Sequence, residues 1–356
     1  VQTPSALPSS PTAATRQALL TQWLMPLGDI HGFDPTTRAP ASDDASFRRY
    51  FRVHSAHGDL IVMDAPPPFE DCQPFVHVAG LLHQAGVNVP AILAQDLEQG
   101  FLLLCDLGTH NYAQAIAQGL DDASVQTMYR QAIQALVRMQ QARTDNLPVC
   151  DQHRLLQELT LFPEWYVQRY YGATLDAEEQ AQLMQCFAQL TQDNLRQPKV
   201  LVHRDFHSPN LMLCTEARHG TNPGVIDFQD ALIGPITYDL ASLVTDARTT
   251  WEEAQQLDWA IRYWEAARAA GLPVADDFAE FHRAYEWMSL QRNLRILGVF
   301  VRLYLRDGKP GYLAHLPRVL GYVRQVSTRY HVFRPLTRLL DRLQARQPIV
   351  SPPCAP

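Results

Sequence analysis

The chain has 356 residues, 46% of them hydrophobic, which is enough to bury a substantial core and to build two lobes. Its net charge of −7 leaves no basic surplus to neutralise phosphates, which excludes a general nucleic-acid binder. No apolar run approaches the roughly 20 residues that cross a bilayer, and the six scattered cysteines, none in a C-x-x-C pair, read as reduced thiols of a cytoplasmic protein.

The opening "VQTPSALPSSPTAATR" lacks the basic start and apolar core of a secretory signal, and its composition predicts a flexible tail over residues 1–15. Residues 16–26 carry a helical pattern that Pro26 should end. "FRRYFRV" and "LIVMDA", joined by a turn at Gly58 and closed by Pro66, Pro67 and Pro68, predict a β-hairpin. A helix over "CQPFVHVAGLLHQAG" follows, then "VPAILAQD" and "GFLLLCDLG" as a second antiparallel pair. These elements form a small lobe over 16–106.

Beyond it the chain turns helical. Val125, Met128, Tyr129, Ala132, Ile133 and Leu136 recur with the spacing of a helix buried on one face, and residues 176–195 repeat the pattern. A β island at 199–228 ("KVLVH", "LMLC", "GVIDF") interrupts, and from 251 onward nearly everything reads as helix. The second lobe spans 107–345 and a Pro-rich tail covers 346–356. The expected fold is α+β and bilobed, a small β-rich N-lobe followed by a large, mainly helical C-lobe.

Between two apolar runs, "HRDFHSPN" places His203, Asp205, His207 and Asn210 within eight positions. A metal cluster would need further His or carboxylate ligands in comparable loops, and the other histidines are isolated. A plain polar turn, shaped by Asp205 and Asn210, is the second reading. The third adds Asp227, which ends the apolar strand "GVIDF" seventeen residues after Asn210. Two strand ends joined by a hairpin would bring Asp205, Asn210 and Asp227 around one point, the trio that phosphoryl transfer requires.

On "HRDFHSPN" (H-x-D-x-x-x-x-N) and "IDF" followed by "GPITYDLASL", the chain resembles the aminoglycoside phosphotransferase-like small-molecule kinases, relatives of the protein kinases, over roughly residues 30–330. Within them it is similar to bacterial sugar kinases that phosphorylate the anomeric hydroxyl of N-acetylmuramate and N-acetylglucosamine in peptidoglycan recycling. "SDDASFRRYFR", "LIVMDAPP", "ELTLFPEWY" and "LQRNLRILGVFVRLYLRDGKPGYL" carry that narrower likeness. The resemblance implies ATP and Mg²⁺ as cofactors, Asp205 as catalytic base, Asn210 and Asp227 as metal ligands, and Asp239 as a structural tie of the loop to the next helix. It implies a small sugar as partner, with neither nucleic acid nor membrane.

The pattern is broken in the N-lobe. Kinases of this superfamily carry a lysine on the third strand; here Met63 stands at the matching position, and the two lysines are Lys199 and Lys309. The glycine-rich loop is missing too, leaving Ala45 and Ser46 to admit phosphate to backbone N–H groups. Arg48, Arg49 and Arg52 are the expected replacement cations, with Arg49 on the face opposite to the other two. Backbone groups around Leu104, Cys105 and Leu107 are expected to read adenine. For the acceptor, the expected contacts are His207, Glu164, Trp165 and Arg292, the last meeting the lactyl carboxylate of N-acetylmuramate. A kinase of another small alcohol or of aminoglycosides, and a nucleotide-binding pseudokinase, are the competing readings.

Overall fold

The computed structural model describes residues 13–42, 47–55, 57–67 and 69–350. In chain order it runs α1 (Ala13–His31), β1 (Ala39–Ser42), β2 (Arg49–Val53), β3 (Leu60–Asp64), α2 (Gln73–Gln84), β4 (Ile92–Asp96) and β5 (Phe101–Cys105). Next come α3 (Tyr112–Ala117), α4 (Asp122–Gln140), α5 (Gln152–Leu161), a π-helical stretch over Phe162–Tyr170, and α6 (Ala177–Arg196). Four short strands follow: β6 (Lys199–Val202), β7 (Leu211–Met212), β8 (Gly224–Val225) and β9 (Leu232–Pro235). The chain ends in α7 (Tyr238–Val244), α8 (Glu253–Ala269), α9 (Phe278–Leu305), α10 (Leu316–Arg329) and α11 (Arg334–Gln344). It divides into two compact units. Val1–Gln84, Asn88–Thr109 and Met212–Asp230 form the first; Ala85–Val87, His110–Leu211 and Ala231–Pro356 form the second.

The first unit is built on an antiparallel sheet of order β1-β2-β3-β5-β4. Alternation sorts β3 into two faces: Leu60, Val62 and Asp64 on one, Ile61 and Met63 on the other. The first face packs with α1 in a cluster of Leu20, Leu24, Phe33, Val53, Leu60, Val62, Phe101 and Leu103. This burial explains why α1 runs past Pro26 to His31, where the sequence predicted a stop. Leu20 and Leu24, fully buried, offset the backbone bond that proline removes.

The segment Met212–Asp230 belongs to this unit, although the sequence placed it in the helical lobe. Its bonds give the reason. The Asn88 side-chain amide donates to the carbonyls of His219 (2.8 Å) and Thr221 (2.7 Å), and the Asn88 carbonyl accepts from Val225 N (2.7 Å). Phe228 packs on Phe75 of α2 with ring centroids 4.7 Å apart.

The second unit is helical around α9, whose buried side chains join those of α6, α10 and α11 in one core. The N-termini of α4 and α6 are capped by Asp121, accepting from Ser124 N, and by Asp176 in a reciprocal pair with Glu179. Gly298 of α9 lies so close to the end of α5 that a Cβ there would stand 2.3 Å from the Leu161 carbonyl oxygen. β6 pairs antiparallel with β9, a strand the sequence did not announce because "LIGP" carries glycine and proline. No helix of the described residues is long and apolar enough to cross a membrane.

Candidate active site

In the second unit, the register Val202↔Leu232 ends the β6–β9 pair, and the chain leaves β6 directly into "HRDFHSPN". Arg204 takes a left-handed conformation (φ 79°), which turns the loop sharply. The loop is held there by the buried Asp239 of α7, whose carboxylate accepts from His203 N (2.6 Å) and Arg204 N (2.9 Å). Burial pushes the Asp239 carboxyl up, to about 6. Ser242, on the same helix, donates to the Arg204 carbonyl at 3.1 Å. His203 is buried, and its Nδ1 accepts from Asp205 N at 3.3 Å, so it shapes the loop.

Asp205 is surrounded by positive charge. Burial pushes its carboxyl up, but Arg295, His207, Arg292 and Arg204 together hold it down at about 2. It is therefore ionised throughout the neutral range. Asn210 is fixed to it, its Nδ2 donating to the Asp205 carbonyl at 2.9 Å.

Asp246, just beyond α7, is the anchor the sequence reading missed. Its carboxylate accepts Ser208 N at 2.9 Å, the Ser208 hydroxyl and Arg248 N at 2.9 Å, and faces His207 Nδ1 at 3.8 Å. Burial lowers His207 to about 4, so its ring is neutral at neutral pH. Asp246 lies beyond the last residue of α7, so helical spacing from Asp239 does not announce it in the sequence.

Arg292 of α9 is buried, and among the described residues its Nε and Nη1 have no hydrogen-bond partner. Burial lowers its pKa, and the negative charge of Asp205 acts in the opposite direction. A buried guanidinium with unused donors is suited to an anionic group of a ligand. Glu164 and Trp165 lie elsewhere. Glu164 is exposed on the π-helical stretch and interacts with Arg302, about three turns along α9 from Arg292, while Trp165 lies under the Arg169 guanidinium at 4.5 Å. No described hydrogen bond or ion pair joins either of them to Asp205.

In the first unit, Asp227 is exposed in a left-handed conformation (φ 64°), and Gln229 Nε2 donates to its Oδ1 at 2.8 Å. A carboxylate oxygen such as that of Asp227 is a hard donor of the kind Mg²⁺ takes. Among the described residues there is no cluster of three His, Cys, Asp or Glu that could hold a metal.

The arginines of β2 fall differently from the expectation. Arg49 pairs with Asp64 across β3 and bonds it at 2.5 Å, while Arg16 of α1 grips the same fully buried carboxylate at 2.7 and 2.9 Å. Arg49 thus stands on the α1 face, opposite to Met63, committed to a structural ion pair rather than turned toward the lysine position. Arg48, outside the strand, pairs with Glu70 at 3.0 Å. Arg52 shares Met63's face and bridges Asp106 (2.5 and 3.2 Å) and the Gly108 carbonyl (3.2 Å), at the end of β5. In the expected adenine strand, Cys105 N already donates to the Ala91 carbonyl (2.9 Å), and the Leu107 carbonyl accepts from Cys214 Sγ (3.6 Å). Leu104 is paired with Ile61. Ala45 and Ser46 lie outside the described residues.

Residues 37–287 match the family described as "Phosphotransferase enzyme family". A Pseudomonas putida protein named N-acetylmuramate/N-acetylglucosamine kinase is 46% identical over 306 residues, covering 86% of this chain and 88% of its own length. A Neisseria meningitidis protein of the same name is 45% identical over 330 residues, covering 92% and 96%. Among solved structures, the GDP complex of an aminoglycoside 2'-phosphotransferase is similar at a TM-score of 0.54, with 14% identity and coverage of 88% and 98%.

Proposed function

The chain belongs to the phosphotransferase enzyme family, and from that premise we propose that it moves the γ-phosphoryl group of ATP to the C1 hydroxyl of N-acetylmuramate and N-acetylglucosamine. It is a phosphotransferase, and the kinase relatives imply a nucleotide and a small-molecule acceptor. The observation that carries the catalytic reading is the loop that presents Asp205, fixed by the buried Asp239 at His203 N (2.6 Å) and Arg204 N (2.9 Å), with arginine charge holding the Asp205 carboxyl ionised. Phosphoryl transfer proceeds through a loose transition state, so the aspartate's task is to orient the acceptor hydroxyl and receive its proton late. A strongly acidic carboxylate suits that task.

Asn210 and Asp227 are the proposed ligands of Mg²⁺, which when bound supplies positive charge to the nucleotide phosphates. Asp239 and Asp246 hold the loop so that Asp205 meets the acceptor without reorganising. Arg292 is the proposed partner of the lactyl carboxylate, which distinguishes N-acetylmuramate from N-acetylglucosamine. Of the strand arginines, Arg52 is the proposed substitute for the missing lysine.

The test uses the free sugars and their methyl glycosides with ATP, following the product by phosphorus NMR. A 1-phosphate coupled to the anomeric proton is expected from the free sugars and no product from the glycosides. Arg292→Ala is expected to raise KM for N-acetylmuramate more than for N-acetylglucosamine. Ready phosphorylation of a methyl glycoside moves the reaction to another hydroxyl.

A further inference from the structure

Arg204, the residue before Asp205, has a left-handed backbone at φ 79°. Glycine takes that conformation without steric cost, whereas a residue with a Cβ is strained in it. A loop that needed only to turn here would be served better by glycine. The strain points to a task for the arginine side chain.

That side chain lies inside the second unit. It is 13% exposed, and its Nη2 meets Glu158 Oε1 of α5 at 3.5 Å; the Glu158 side chain is 12% exposed. The same oxygen faces Arg295 Nε of α9 at 3.8 Å. Glu158 thus joins the loop to α5 and α9 at one atom. The two helices are also tied directly, Gln291 Nε2 of α9 donating to the Leu155 carbonyl of α5 at 2.9 Å.

As a source of stability the arrangement is poor. Glu158 Oε2 is buried and has no hydrogen-bond partner among the described residues. A buried ion pair offsets its desolvation only where the geometry is close and the remaining polar atoms are satisfied. What this pair supplies is placement.

Neighbouring Cα atoms are about 3.8 Å apart, so whatever fixes Arg204 also fixes the start of Asp205. Asp239 accepts from the Arg204 N–H and Ser242 donates to its carbonyl, which holds the backbone on both sides. Glu158 holds the side chain. Against the raising effect of burial, Arg295 and Arg204 are among the charges that lower the Asp205 carboxyl. Both guanidiniums share Glu158 Oε1, so Glu158 also fixes where that charge sits.

We propose that Glu158 and Arg204 are positioning residues that act as one unit, holding Asp205 in line with the acceptor hydroxyl. The proposal rests on the reading of Asp205 as the base of an amino-sugar kinase.

The test measures kcat, KM and the thermal midpoint with N-acetylglucosamine and ATP for Arg204→Gly, Arg204→Lys, Glu158→Gln and the double variant Arg204→Gly/Glu158→Gln. A turn-forming role alone predicts wild-type kcat in Arg204→Gly, because glycine meets φ 79° without strain. The positioning role predicts a fall in kcat of about tenfold or more, on the way to the roughly 100-fold cost of a misplacement of about 1 Å, with KM for ATP unchanged. Glu158→Gln should show the same fall. The double variant should be no slower than either single one, since one interaction is lost only once. Arg204→Lys keeps a cation for the single Nη2 contact and should recover most of the wild-type kcat. Rates are compared well below each thermal midpoint, and Glu158→Gln with Arg204→Lys decides the matter should Arg204→Gly fail to fold. With wild type turning over the sugar, three results each overturn the positioning pair alone: wild-type kcat in Arg204→Gly or Glu158→Gln, losses that multiply in the double variant, or an Arg204→Lys as slow as Arg204→Gly. Failure of wild type to phosphorylate any N-acetylated amino sugar overturns the functional reading, and the positioning role with it.

Discussion

Asp246 holds Ser208 through both of its donors, the backbone N–H at 2.9 Å and the side-chain hydroxyl. The pair ties the middle of the catalytic loop to the end of α7, as Asp239 ties its beginning. Asp246→Ala leaves both Ser208 donors buried without an acceptor. The variant should lose roughly 2–4 kcal/mol of stability, the scale of buried charge-assisted hydrogen bonds, and turnover should fall at least about tenfold as the loop loosens. Urea denaturation and steady-state kinetics check this. Wild-type values for both would show that the loop holds its shape without Asp246.

Asp205, the proposed base, should also contribute to the stability of the fold. Its folded pKa of about 2 lies below the ordinary 3.8. The stability it contributes is therefore fully present above about pH 4 and lost as pH falls through about 2. Asp205→Asn should be less stable than wild type at pH 7, with the difference shrinking between pH 4 and 2. Turnover should drop by about 10²-fold or more while ATP still binds. A variant more stable than wild type at pH 7 would contradict the arginine cluster's hold on this group.

Asp227→Ala should abolish the activity that Mg²⁺ sustains, since it removes a carboxylate proposed to hold the cation that would neutralise phosphate charge. Activity assayed across a Mg²⁺ titration, with a chelator as control, reads this directly. Full activity in the chelator would remove both Asn210 and Asp227 from a metal-binding role.

Arg52 and Arg49 should separate cleanly. Arg52→Ala should weaken ATP binding several-fold, because Arg52 shares the face of Met63. Arg49→Ala should chiefly lower thermal stability, since it removes one of the two guanidinium partners of the buried Asp64. Nucleotide binding by calorimetry and thermal midpoints for the two variants decide the matter. Weaker ATP binding in Arg49→Ala alone would reverse the assignment.

The candidate loop stood out before any coordinates because its polar residues are neighbours in sequence. His203 to Asn210 stand within eight residues between apolar runs, and a loop of that composition has few structural alternatives. The hairpin β2–β3, the pair β4–β5 and helices such as α4 were legible for a similar reason, since period-2 and period-3.6 burial is written directly into side-chain order. Strands β1 and β9 were not, because "APAS" and "LIGP" carry no alternation and are strands only through the partners they meet.

Alternation in "FRRYFRV" by itself determined that Arg49 and Arg52 point to opposite faces. Only the tertiary structure decided which face α1 covers, and hence that Arg49 is bound to Asp64 while Arg52 stands with Met63. The same holds for α1, where Pro26 argued for a stop and the burial of Leu20 and Leu24 overrode it. Asp246, Arg292 and Arg295 surround a loop that lies 36 or more residues before them in the chain, so no spacing rule reaches them. Motif chemistry is carried by neighbours in sequence, whereas charge environment and burial depend on distances in space, and those are set only when the helices pack.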